Sequence, residues 1–126
     1  MKIHSSAEDY LETILVLHQE KGKVRSVDVA NRLGYSKPSI SVAMKNLKAS
    51  GDIDIDDHGY INLTDKGRAI AENIYERHLL LTRLFISLGV SPDVARDDSC
   101  RIEHVISQET FDRIKDHVNK YLSEKD

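Results

Sequence analysis

Across Asp52 to Leu63 the apolar residues alternate: Ile53 and Ile55 with aspartates between and beside them, then Tyr60, Ile61 and Leu63. Before and after this stretch they recur every three or four positions, the spacing of a helix. The switch of period places one β-hairpin inside an otherwise helical chain, with Asp57-His58-Gly59 supplying the turn. Only two Pro and six Gly interrupt 126 residues, which agrees with a mainly α protein.

Three helices precede the hairpin. Tyr10, Leu11, Ile14, Leu15, Leu17 and His18 form one face of a first helix over Ser6 to Glu20. Ser26 is read as the N-cap of a short second helix through Val27, Val29, Ala30 and Leu33, stopped by Gly34, which tolerates the left-handed cap conformation. Ser36 caps the third, whose early Pro38 is harmless because first-turn amides have no acceptor within the helix. Its buried face is Ile40, Ala43, Met44 and Leu47, and Gly51 ends it.

Beyond the hairpin, Thr64 caps a long fourth helix through Ala69, Ile70, Ile74, Leu80, Leu81, Leu84, Phe85 and Leu88 to Gly89. Pro92 begins a short fifth helix or turn, Asp97 to Ile106 reads as another helix, and Ser107 caps the last, which carries Phe111, Ile114, Val118 and Tyr121. No membrane span is expected, since the longest aliphatic run, Ile14 to Leu17, is far short of the ~18–20 residues required. The amino terminus, Met1 to Ser6, lacks the apolar run of a secretory signal, and the single cysteine, Cys100, rules out an internal disulfide and suits a reducing cytoplasm.

Three helices with a tight Gly turn between the second and third, then a hairpin, are the order of a winged helix-turn-helix. Charge supports a polyanion partner: between Lys21 and Gly51 seven Lys and Arg oppose Asp28 alone, a net +6, so the remainder of this −3 chain carries −9. Lys37, Pro38, Ser39, Ser41, Val42 and Lys45 lie off the buried face of the third helix near its amino end, where they are expected to contact DNA. Lys37 and Lys45 would neutralise phosphates, Ser39 and Ser41 reach base edges or phosphates, and Val42 meet a thymine methyl. A protein-binding winged helix is the alternative. Asp52, Asp54, Asp56 and Asp57 repel phosphate, so the hairpin is expected to add little affinity, and His58 at its tip reads as an exposed turn residue.

Cys100, Glu103 and His104 stand at i, i+3 and i+4, so on a helix all three leave one face within reach of a single ion. Taken singly, Glu103 and His104 would be a solvated pair and Cys100 a buried small residue. Asp9 and Glu12 share the i, i+3 spacing on the first helix, where carboxylates also suit a helix amino terminus, and His78 follows Arg77 in the fourth helix.

Ala7-Glu8-Asp9-Tyr10-Leu11-Glu12, Ser36-Lys37-Pro38-Ser39, Asp57-His58-Gly59-Tyr60, Leu63-Thr64-Asp65-Lys66-Gly67, Glu76-Arg77-His78 and Cys100 through Ser107 together resemble the diphtheria-toxin-repressor family of metal-dependent transcriptional regulators. The resemblance spans nearly the whole chain and is strongest to the two-domain, manganese-sensing branch. It implies a winged-helix DNA-binding domain over residues 1–63, a helical metal-binding and dimerisation domain over 64–126, and no SH3-like domain beyond it. It also implies that Asp9, Glu12, His78, Cys100, Glu103 and His104 occupy metal-ligand positions. Asp9 and Glu12 look like the manganese branch and Cys100 like the iron branch. Hard carboxylates suit Mn²⁺, whereas thiolate and imidazole raise affinity for Fe²⁺, Co²⁺, Ni²⁺ and Zn²⁺. Mn²⁺ or Fe²⁺ is therefore expected as the physiological ion.

The resulting expectation is a cytoplasmic homodimeric repressor of metal-uptake genes that binds a pseudopalindromic operator when metal fixes its two domains in a groove-matching orientation. Two other readings remain at this stage: a winged-helix regulator governed by an organic ligand or protein partner, and a metal-dependent hydrolase. The last lacks a Ser, Lys or Glu grouping to organise a substrate, so no enzymatic activity is expected. His4, His18 and His117 match no ligand position and are read as surface or packing residues.

Overall fold

The computed structural model describes the backbone of residues 2–122 and the side chains of residues 7–122, so His4 lies outside the described side chains. The elements are α1 (Lys2–Lys21), α2 (Ser26–Leu33), α3 (Lys37–Ala49), β1 (Ile53–Ile55), β2 (Ile61–Leu63), α4 (Asp65–Ser87), α5 (Pro92–Ile102) and α6 (Gln108–Tyr121). They divide into two compact units, Met1–Glu72 and Asn73–Asp126, with the division inside α4. Among the described residues no helix is long and apolar enough to cross a membrane.

In the first unit, Leu11, Ile14, Leu15 and Leu17 of α1 are buried, as are Val29 and Ala30 of α2 and Ile40, Met44 and Leu47 of α3. Gly34 takes φ +73° and donates to the Ala30 carbonyl, making the tight turn between α2 and α3. Ser36 caps α3 by accepting from the Ser39 N–H at 3.3 Å. The N-cap of α2 is Arg25 rather than the expected Ser26. Asp28, at N3, reaches back to accept from the Arg25 N–H (2.8 Å) and also takes Lys21 Nζ (2.7 Å), so the start of α2 is held by a carboxylate at N3 and not by a serine hydroxyl at the N-cap.

β1 and β2 pair antiparallel, Ile53 opposite Leu63 and Ile55 opposite Ile61. The alternation has its expected effect: Ile53 and Ile61 are fully buried, while Asp54 and Asn62 face out. Gly59 at φ +84° closes the turn, and the Asp56 carboxylate accepts from the His58 and Tyr60 N–H groups, each at 2.9 Å. β2 is also tied back to the helices. The Ile61 N–H donates to the Val24 carbonyl (2.7 Å), and His18 Nε2 lies 2.8 Å from the Ile61 carbonyl, so His18 is a packing residue.

In the second unit Leu80, Phe111 and Val118 form a buried cluster, with Leu84, Ile106, Ile114 and Leu122 against it. Ser107 caps α6 by accepting from the Thr110 N–H at 3.1 Å. One continuous α5 replaces the two short pieces expected around Pro92 and Asp97, because Pro92 sits at the tolerated first turn and no Gly or Pro follows before Ile102. It stops four residues before the expected Ile106. The carbonyls of Glu103 and Ile106 turn away to bond the Arg77 guanidinium, and the N–H groups of Val105 and Ile106 both point to the Ile102 carbonyl.

Candidate metal centre and nucleic-acid interface

Four of the six expected ligands lie in the second unit, where His78 and His104 flank Glu103 and Cys100 adjoins His78. His78, on α4, places Nδ1 2.9 Å from Glu103 Oε1 and 3.8 Å from Cys100 Sγ. His104 Nε2 lies 3.5 Å from the other carboxylate oxygen, Oε2. Cys100 is the last but two residue of α5, and Glu103 and His104 follow in the turn. Glu103 still holds helical angles (φ −57°, ψ −25°), so its carboxylate stays on the side of Cys100. Cys100 is exposed, which removes the reading of it as a buried apolar residue.

Glu103 is only 1% exposed. A carboxylate so placed is costly unless cations or donors surround it. Two imidazoles do so here, and the Cys100 hydrogen bond followed by that of Glu103 push the His78 pKa up to about 10, so its imidazolium persists at neutral pH. His78 adjoins both the Cys100 thiol and one oxygen of the Glu103 carboxylate, whose other oxygen faces His104. These sulfur, nitrogen and oxygen donors match the preferences of a divalent transition ion, which would take the place of the proton held between His78 and Glu103. The remaining candidates, Asp9 and Glu12, stand one turn apart on α1 in the first unit.

Sequence reasoning passed over Arg77, the buried cation beside His78 that shapes the ligand turn. Its only signal was its place in Glu76-Arg77-His78.

On α3, Lys37, Pro38, Ser39, Ser41, Val42 and Lys45 are all exposed, and Val42 keeps 59% of its surface open. Ser26, Val27, Lys37, Pro38 and Ser41 line one open cleft where α2 meets α3. The Ser39 hydroxyl accepts from Ser36 Oγ at 2.9 Å, leaving its own hydrogen to donate outward.

The hairpin is less uniformly acidic in space than in sequence. Asp52 is buried, accepting from Ser50 Oγ at 3.1 Å with Lys66 Nζ at 3.5 Å, and Asp56 is occupied by the turn amides. Lys23 and Arg25 lie over the Tyr60 ring at 5.0 and 4.5 Å from its centre, which puts two cations beside the hairpin. Both were counted in the basic segment, but neither was singled out, because their aromatic partner is about 35 residues distant in sequence.

Residues 2–61 match the family described as "Iron dependent repressor, N-terminal DNA binding domain", and residues 64–124 match "Iron dependent repressor, metal binding and dimerisation domain". The chain is 37% identical over 114 residues to "Transcriptional regulator MntR" of Escherichia coli O157:H7, covering 90% of this chain and 74% of that protein. It is 34% identical over 120 residues to "HTH-type transcriptional regulator MntR" of Geobacillus kaustophilus, covering 95% and 85%. Among solved structures, "Manganese-dependent transcriptional repressor complex with manganese" superposes with a TM-score of 0.80 at 33% identity, over 90% of this chain and 52% of that one. The "manganese regulator SloR" gives 0.78 at 26% identity, over 90% and 53%, so this chain spans about half the length of these two solved structures.

Proposed function

Because the chain belongs to the iron-dependent repressor family, we propose that it is a metal-dependent DNA-binding transcriptional regulator, not an enzyme, acting in the cytoplasm as a homodimer on a pseudopalindromic operator. The observation that carries the reading is the run of adjoining donors in the domain matched as metal-binding: Cys100 beside His78, and His78 and His104 on the two oxygens of the buried Glu103. Asp9 and Glu12 are proposed as further ligands contributed by α1. When bound, Mn²⁺ or Fe²⁺ supplies a positive centre that donors from both domains share. Without it the carboxylates of Asp9, Glu12 and Glu103 repel one another, and the dimer samples orientations in which its two α3 helices miss successive major grooves, ~34 Å apart. Because metal and operator favour the same orientation, each raises affinity for the other.

A fluorescence-anisotropy titration of operator DNA against protein, with Mn²⁺ or Fe²⁺ and then with chelator, tests this. Specific binding is expected only with the ion. Equal operator affinity in both conditions would overturn it.

On α3, Lys37 and Lys45 are proposed to neutralise phosphates, while Pro38, Ser39, Ser41 and Val42 face the bases. Lys45→Ala is expected to weaken binding to every sequence alike and to lower the salt slope by roughly one unit. A slope equal to that of the wild type would exclude Lys45 as a phosphate contact.

Cys100 is proposed to set metal preference. Cys100→Glu replaces a soft donor by a hard one, so Mn²⁺ should retain or gain activation relative to Fe²⁺, Co²⁺ and Zn²⁺. Since the position is exposed, the melting temperature in chelator should hardly move. Activation profiles with the wild-type order of metals would reject the thiol as a ligand.

A further inference from the structure

Arg77 immediately precedes His78 on α4 and is 8% exposed. A guanidinium remains charged at any ordinary pH, so its burial demands acceptors. It has four, all neutral: Nη1 donates to the carbonyls of Glu103 (3.1 Å) and Ile106 (2.8 Å), Nη2 to Gln108 Oε1 (3.0 Å) and Nε to Asn73 Oδ1 (3.0 Å). Its planar head lies over Phe111, 5.2 Å from the ring centre. The two carbonyls bracket His104, and Gln108 begins α6, where its amide in turn donates to Asp112 at 2.8 Å.

We infer that Arg77 is the positioning residue of the metal centre, holding the Glu103–Ile106 turn, and with it the ligands Glu103 and His104, against the helix that carries His78. The inference rests on the metal reading proposed above. The turn leaves α5 at Ile102, and a turn so freed could carry Glu103 and His104 to many positions relative to α4. Two bonds from one rigid group, attached one residue from the third ligand, remove that freedom. The role needs the arginine fork specifically. A lysine keeps the charge but offers a single point of donation on a flexible stem, and it cannot span both carbonyls and the glutamine in one plane. Groups that orient metal ligands in this way carry roughly 10–100-fold in metal affinity.

The test uses the full chain and Co²⁺ as the probe, since its visible absorption reports ligand number and geometry as well as occupancy. Wild type, Arg77→Lys and Val118→Ala are each melted in chelator and titrated with Co²⁺. Arg77→Lys should bind Co²⁺ roughly 10–100-fold more weakly with an altered spectrum, beyond what any fall in its metal-free melting temperature accounts for. Val118→Ala, which loosens the same buried cluster from the far end of α6, should melt lower yet keep the wild-type spectrum. Gln108→Ala removes one acceptor of the fork without burying a new group, and should give a smaller loss in the same direction should Arg77→Lys not fold. Wild-type Co²⁺ affinity and spectrum in whichever of Arg77→Lys and Gln108→Ala folds, or an equal loss in Val118→Ala, overturns the inference while leaving the metal reading intact. A wild-type chain that takes up no Co²⁺ overturns the metal reading itself, and this inference with it.

Discussion

Glu103→Gln is expected to abolish metal-activated operator binding while leaving a protein that melts, in chelator, close to the wild type. The carboxylate lies between His78 and His104, 2.9 and 3.5 Å from their nearest nitrogens, and is 1% exposed. The amide has the same shape and keeps an oxygen for the His78 hydrogen bond, so packing is conserved. What disappears is the negative charge, which a divalent cation needs most where water is excluded. Metal affinity should fall by more than the roughly 10–100-fold that loss of a group merely supporting a ligand costs. With the carboxylate gone, His78 loses one of the two partners that raise its pKa to about 10, so it can become neutral rather than remain as an unpaired buried cation. This limits the cost to the metal-free fold. Isothermal titration with Mn²⁺, paired with operator anisotropy, measures both consequences. Wild-type metal affinity in Glu103→Gln would remove Glu103 from the ligand set.

Gly67→Ala is expected to destabilise the first unit by about 1–3 kcal/mol, opposite in sign to the ~1 kcal/mol that alanine adds over glycine in an ordinary helix interior. A Cβ built on Gly67 would stand 2.0 Å from the Asp52 carbonyl oxygen and 2.9 Å from its carbon. Both obstacles are backbone, so no side-chain rotation relieves them. The same Asp52 carbonyl accepts from the Thr64 N–H at 3.1 Å, and Thr64 Oγ1 bonds both the Gly51 carbonyl (2.7 Å) and the Gly67 N–H (3.1 Å). Making room for a methyl group pulls the first turn of α4 off the start of the hairpin and breaks this small network together. Urea unfolding of the metal-free protein gives the value. A midpoint at or above the wild type would show that the close approach relaxes without cost.

The features legible in the sequence are those written within a turn or two of chain. Alternation over Asp52–Leu63 specified the hairpin because strand side chains point to opposite faces at every step, and Ile53 and Ile61 are indeed the buried pair. Ser36, Thr64 and Ser107 mark helix starts because their hydroxyls accept from N–H groups three residues on. The spacing of Cys100, Glu103 and His104 singled out three candidate ligands within five residues, and the helical angles of Glu103 continue the helix path one residue past Ile102, where α5 ends.

Tertiary structure decided what depends on partners distant in the chain. Beyond the end of α5, the free carbonyls of Glu103 and Ile106 find their partner in Arg77, 26 residues before Glu103, a pairing no local pattern shows. Gly67 looks in sequence like a mild flaw in a helix, and only the passage of Asp52 beneath it shows why a side chain is excluded. Burial of Glu103 beside two histidines and the pairing of Tyr60 with Lys23 and Arg25 are likewise absent from any local pattern. Periodicity and capping energies act between near neighbours and repeat along the chain. Desolvation, close backbone approach and charge pairing depend on distance in space, which the sequence by itself determines only through the fold.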